Sequence, residues 1–225
     1  MHLPLQIVYD TAMARLGQIK ADLHWSGNKR LRKRHLGKVI QARLRSTVYV
    51  WIPAVIEQYL VDLVAAILHE INSQSIPIAQ IKVSLLSHLA NDRFKSIRDI
   101  KDIHTAWRHR INIFHLVEDV ASATFDETVV PSDGHTPKAD HIKLIWEVFG
   151  IRGSSFPDPV QDYELYLSEL ARLRNSLVHG RADPEGFGRQ RTPGDLLAKI
   201  AKAEAIITHI TGAVDDYLQQ GGFRR

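Results

Sequence analysis

The chain has 225 residues, 44% hydrophobic and 24% charged, with no cysteine. This is ordinary globular composition, which excludes disordered, collagen-like and disulfide-stapled classes. The missing thiols also exclude a cysteine nucleophile and a Cys-ligated zinc, and they fit a reducing cytoplasm.

The net charge is +4, but residues 28–45 hold eight Lys and Arg and no acid, so the rest of the chain sums to −4. A basic stripe on a mildly acidic protein predicts a polyanion footprint, although a solvated helix face carries such charges too. The uncharged apolar stretch 47–56 stops at Glu57, short of the ~18 residues a membrane span needs. The first ten residues lack the basic and apolar regions of a signal peptide, so a cytoplasmic protein without a membrane element is expected.

Taken in chain order, the period is helical throughout and no strand pattern appears. Val48, Ile52, Val55, Ile56, Tyr59, Leu63, Ile67 and Ile71 form a long apolar stripe, with Pro53 as an expected kink. Ile100, Ile103, Trp107, Ile111 and Phe114 form a second. A weaker helix, 139–149, lies between loops near 128–138 and 150–159. Tyr163, Tyr166, Leu170, Leu173 and Leu177 then mark a helix over about 160–180. After a Gly-rich loop near 180–194, Thr192 and Pro193 make an N-cap and first turn for a C-terminal helix over 193–219. With no linker and no repeat, the expectation is one all-α domain over 1–225, a helical bundle with long connections.

Familiar catalytic motifs are missing: there is no phosphate-binding Gly loop, no Gly-x-Ser-x-Gly and no His-Glu-x-x-His. Among the twelve histidines, His104, His109 and His115 are spaced five and six apart, which stacks no ligands on one helical face; His115 and Asp119 stand i, i+4, but such a pair falls short of a zinc site. No metal or cofactor is expected.

The helix ending at Gly180 carries the informative residues. At ~100° per residue, Arg174 falls among Tyr163, Leu167, Leu170 and Leu177, on the apolar face. A guanidinium there needs a carboxylate, carbonyls or a cleft open to a ligand, and Glu57 is the candidate partner. His179 lies about 140° away round an ideal helix. The two meet only if Gly180 ends the helix and His179 swings round, or if a second copy completes the pocket across a two-fold axis. Arg-x-x-x-x-His spacing by itself decides little: chance gives about one such pair, and Arg30–His35 and Arg110–His115 share it. Only Arg174 is followed by Asn, and only His179 by Gly; Arg110–His115 is the rival. Chemically, a histidine can move the 2′-OH and 5′-oxygen protons of RNA cleavage, while an arginine neutralises the phosphorane-like transition state. Arg181, Arg189 and Arg191 follow in the next loop, placed to grip neighbouring phosphates, as Arg30, Arg32, Lys33 and Arg34 of the stripe would elsewhere.

At Arg174-Asn175-Ser176-Leu177-Val178-His179 the chain resembles the HEPN superfamily, whose mark is Arg-polar-x-x-x-His near the end of a late bundle helix. Residues 45–68, with an acid at Glu57, look like the early helix of its stand-alone bacterial MAE- or RiboL-PSP-type branch, and the resemblance spans about 31–218. It implies a helical homodimer whose two motifs meet at the interface. It also implies a metal-independent endoribonuclease of toxin or phage-defence type, often acting on tRNA, which leaves 2′,3′-cyclic phosphate and 5′-OH ends. Arg174 would then stabilise the scissile phosphate, His179 transfer protons and Asn175 orient the substrate or His179. Glu57 and Ser176 would support them, and a cognate antitoxin is a possible partner. The superfamily also contains members that only bind, so a non-catalytic helical module binding RNA or a partner protein is the alternative. A DNA-binding regulator would rest on the basic stripe alone, without a compact helix-turn-helix.

Overall fold

The computed structural model describes residues 1–26, 35–131, 136–151, 156–158 and 160–225. Among these the regular structure is helical: α1 (Leu3–Ser26), α2 (His35–Ser73), α3 (Val83–Leu89), α4 (Asn91–Asp99), α5 (Ile103–Phe114), α6 (Ala139–Phe149), α7 (Tyr163–Val178), α8 (Pro184–Arg189) and α9 (Pro193–Gln219). Short 3-10 turns occupy Ile78–Gln80 and His115–Glu118. The fold is all-α.

The 39-residue α2 is the axis of the molecule, packed by α1, α7, α8 and α9. All eight residues of its predicted stripe are buried. Pro53 sits inside the helix and is itself buried. By length and composition α2 also meets the requirement for a membrane span, which the interruption at Glu57 had argued against; 56% of its most apolar window is buried within the fold, as befits a core helix. On one side α9 lies along α1 and α2, and every member of its predicted stripe, from Leu196 to Tyr217, is buried. Tyr59 of α2 is fully buried and its hydroxyl lies 2.7 Å from Thr211 Oγ1, whose own proton reaches the Ile207 carbonyl at 2.8 Å. The helix α9 opens as predicted: Thr192 Oγ1 accepts from the Asp195 backbone N–H and Asp195 reaches back to Thr192, a capping box with Pro193 in the first turn.

Three features depart from the expected pattern. First, α1 carries a buried stripe of Leu5, Ala12, Leu16, Ile19 and Leu23 that joins the core with α2 and α9. Second, the stripe on α5 is not core: Ile103, Trp107, Ile111 and Phe114 all face solvent, because α5 rests mainly on α4 and on the turn after it and turns Ile113 rather than this stripe toward the core. Third, the post-motif loop contains α8, capped by Asp183, whose carboxylate accepts from the Gly186 N–H at 2.7 Å. Beyond α9 the chain returns to the 77–82 segment, where the Lys82 N–H donates to Phe223 O at 2.9 Å.

His209 of α9 lies against Phe156, ring centroids 4.6 Å apart, with its Nε2 buried and without a partner among the described residues. Burial holds this imidazole below its ordinary range. An unfolded chain therefore takes up a proton near pH 6.5 that the fold still refuses, so stability rises with pH across that window. Lowering the pH from about 7.5 to about 5 is expected to lower the thermal midpoint, and His209→Gln to flatten part of that fall, as read by circular dichroism melting at both pH values.

Candidate active site at the end of α7

The helix α7 buries Tyr163, Tyr166, Leu167, Leu170, Leu173 and Leu177 and ends because of Gly180. His179 is the C-cap, at φ −87° and ψ 10°, and Gly180 takes φ +67°, which a side chain disfavours. The Arg181 N–H donates to Ser176 O at 2.8 Å and the Gly180 N–H to Leu177 O at 3.3 Å. These two bonds are a Schellman turn, which satisfies the last carbonyls of the helix and reverses the chain. Ser176 thus contributes its carbonyl, which also accepts from the Ala182 N–H.

The turn leaves His179 exposed at the helix end, bonded through its backbone N–H to Asn175 O at 3.1 Å. Asn175 is exposed beside it. Arg174 is half-buried on the other side of the helix. Its Nη1 donates to Thr136 Oγ1 at 2.7 Å, and its Nε is buried without a partner among the described residues. Thr136 is itself buried, three residues before α6 begins. The expected Arg174–Glu57 ion pair is not formed; Glu57 is half-buried on α2 and makes no ion pair among the described residues. The physical reason is partial exposure. A guanidinium that water still reaches does not require a carboxylate, and a neutral hydroxyl is enough to hold its direction. No hydrogen bond links Arg174 to His179, so the two chemical groups of the motif present on different faces of one chain.

The segment after the motif folds back onto α2. Gly188 of α8 is buried so closely that a Cβ there would lie 1.8 Å from the Ala42 carbonyl oxygen. Phe187 packs edge-on to Tyr49 at 5.2 Å, and the Arg191 guanidinium lies 4.7 Å from the Phe187 ring centroid. Arg45 Nη1 donates to Arg191 O at 3.1 Å, joining the end of the basic segment to the loop that follows the motif, 146 residues later. Burial raises the Tyr49 phenol, with the Arg191 charge opposing. Of the expected phosphate contacts, Arg181 is exposed, Arg189 is exposed in an ion pair with Glu185, and Arg191 is half-buried against the two rings. Arg30, Arg32, Lys33 and Arg34 lie outside the described residues.

At the rival pair, Arg110 lies over Trp107 at 5.1 Å on the exposed α5, and His115 opens a 3-10 turn, so the α-helical spacing of His115 and Asp119 does not apply. Among the described residues no three His, Asp or Glu side chains converge as metal ligands. A cleft of about 580 Å³, bordered by Lys82, Gly150, His209 and Tyr217, contains no residue of the motif. Thr136 is the site residue that sequence spacing could not find, since it lies 38 positions before Arg174 and in an unpatterned loop.

Neither a curated protein nor a solved structure matches the chain. The family described as HEPN_MAE_28990:/-like HEPN matches residues 12–221, which is nearly the whole chain and includes the motif from Arg174 to His179. The protein belongs to the HEPN family.

Proposed function

We propose that this HEPN protein is a metal-independent endoribonuclease of toxin or phage-defence type, acting in the cytoplasm on RNA, with tRNA as the first candidate. The observation that carries the reading is the end of α7, where a Schellman turn presents His179 to solvent while Thr136 braces the half-buried Arg174. In the proposed reaction an imidazole removes the ribose 2′-OH proton and the 2′-oxygen attacks the adjacent phosphorus. The P–O5′ bond breaks, and a protonated imidazole returns a proton to the 5′-oxygen, giving 2′,3′-cyclic phosphate and 5′-OH ends. Two parallel N–H groups of Arg174 neutralise the charge that builds on the phosphoryl oxygens, so the chemistry calls on no metal. Because one chain leaves Arg174 and His179 on different faces, the complete site is assigned to a two-fold homodimer in which a second copy brings its motif alongside. A protein antitoxin that covers the exposed His179 would be the natural counterpart of such a toxin.

The cheapest test is growth on induced expression. Wild type is expected to arrest growth and His179→Ala, expressed at the same level, to relieve the arrest; equal arrest by both contradicts the reading. Thr136→Val keeps the shape of the side chain and removes the hydroxyl that holds Arg174. It is expected to lower the rate of tRNA cleavage by roughly tenfold and the melting temperature by a few degrees, one lost hydrogen bond to a charged group being worth about 1.5 kcal/mol.

The second reading, a non-catalytic helical module that binds RNA or a partner protein, is favoured by one observation: Arg174 commits Nη1 to a contact inside its own chain. On that reading Arg174→Ala destabilises the fold and His179→Ala changes nothing.

A further inference from the structure

The helices α4 and α5 add almost nothing to the core: no residue of α4 is buried, and only Ala106 of α5 is. The pair is held together by Arg93 Nη1 donating to Asn112 O at 3.1 Å, and α5 is capped by Asp102, which accepts from the Thr105 N–H at 2.7 Å. Three rings stand in solvent, Phe94 at 50%, Trp107 at 54% and Phe114 at 76% exposure. On α5, Ile103, Trp107, Ile111 and Phe114 fall within about 80° of one another. Arg110 borders that face on one side and lies over the Trp107 ring at 5.1 Å; His104 and Arg108 border it on the other. Six cations against three acids lie between positions 91 and 114, and all six cations are exposed. Of the acids, Asp102 is taken by the helix cap and Asp92 lies 3.5 Å from Lys95 Nζ.

An apolar stripe left bare on a soluble surface marks an interaction site. Faces that dock proteins also carry aromatic rings and arginine but are depleted of lysine and acid at their centre, and a rim of one charge sign calls for a partner of the other. Aromatic rings interleaved with cations are instead what an unpaired nucleic-acid strand requires, because each base offers a face to stack and each nucleotide a phosphate to neutralise. Charge complementarity therefore selects the occupant. We propose that the α4–α5 hairpin is a binding arm for an unpaired stretch of RNA, resting on the ribonuclease reading above. Trp107 and Phe114 stack on bases, and Arg93, Lys95, Arg98, Lys101, Arg108 and Arg110 track the backbone. Duplex RNA keeps its bases stacked internally and offers Trp107 no face, so the arm selects loops and single strands. Arg110 and His115, the second pair with the spacing of the motif, belong to this binding surface and not to a second cleavage site.

The test uses the full chain in a His179→Ala background, so that the probe is not cut, and follows the anisotropy of a fluorescein-labelled 20-nucleotide oligo(U). Adding Trp107→Ala is expected to raise Kd roughly tenfold, the size of one lost stack, with an unchanged melting curve because the ring is exposed. Adding Arg98→Gln with Lys101→Gln is expected to lower the slope of log K against log salt by about 1.4. A 20-base-pair duplex is expected to compete more weakly than unlabelled oligo(U). The proposal is overturned if Trp107→Ala binds oligo(U) as tightly as its parent, or if the parent does not bind oligo(U). It is also overturned if Trp107→Ala changes only the sedimenting mass, which would make the face a contact between copies. Cleavage of tRNA by wild type, measured in parallel, separates the two readings: cleavage with unaltered oligo(U) binding removes the arm alone, whereas neither cleavage nor binding removes both.

Discussion

Replacing His179 with alanine is expected to slow single-turnover RNA cleavage by a factor on the order of 10²–10⁴, the range for losing a positioned proton-transfer group. The fold should not register the change. His179 is exposed and its structural contribution is a backbone N–H bond to Asn175 that alanine also makes, so the melting temperature is expected to stay within the small range of surface substitutions. Arg174→Ala is expected to cost roughly 10²–10³ in rate, comparable to losing a transition-state donor. Arg174→Lys is expected to recover only part of that, because a lysine keeps the charge but not the paired donors. The two variants together separate catalysis from scaffolding: only a structural arginine would lower the melting temperature as much as the rate.

Gly188→Ala is expected to be strongly damaging for so small a substitution. The added methyl would lie 1.8 Å from the Ala42 carbonyl oxygen and 2.6 Å from its carbonyl carbon, both backbone atoms of the long α2. Since α2 is buried along its length, α8 must lift. That movement opens the Tyr49–Phe187 contact, unseats Arg191 from the Phe187 ring and pulls Arg191 O away from Arg45. Overpacking of this kind costs about 1–3 kcal/mol or more, which for a chain of this size lowers the melting temperature by several degrees. Because α8 follows the motif by only a few residues, cleavage is expected to fall as well. Gly194→Ala is the control. It lies in the first turn of α9 with no atom closer than 3.7 Å, and alanine favours helix, so it should be neutral or slightly stabilising.

The parts of the fold that the sequence makes legible are those where one helix buries one continuous stripe. The predicted stripes of α2, α7 and α9 recur mostly at three and four residues, and the structure buries every residue named in them, while apolar residues off the stripe, such as Leu36, Trp51 and Leu165, stay exposed. The resemblance at Arg174–His179 likewise led to the family that residues 12–221 match. Periodicity says that a face is apolar but not what covers it, and α5 shows the consequence: its stripe has the same spacing as the others and stands in solvent. The helix α8 was hidden because two glycines and a proline in six residues look like a loop, while the close approach that demands Gly188 comes from α2, which no local pattern reveals. The partner of Arg174 was hidden for a related reason. A guanidinium on an apolar face predicts that some oxygen must meet it, but the choice between Glu57 and Thr136 is made by how α6 and α2 approach α7. Local chemistry therefore points to the site, and tertiary contacts decide how its arginine is held.

Metal-independent RNA cleavage by Arg174 and His179 is read by incubating purified wild type and His179→Ala with total tRNA in excess EDTA and examining the product ends. Wild type is expected to cut and leave 2′,3′-cyclic phosphate and 5′-OH termini, with His179→Ala leaving the tRNA intact. Equal cutting by both proteins, or cutting by wild type that EDTA abolishes, would contradict the account.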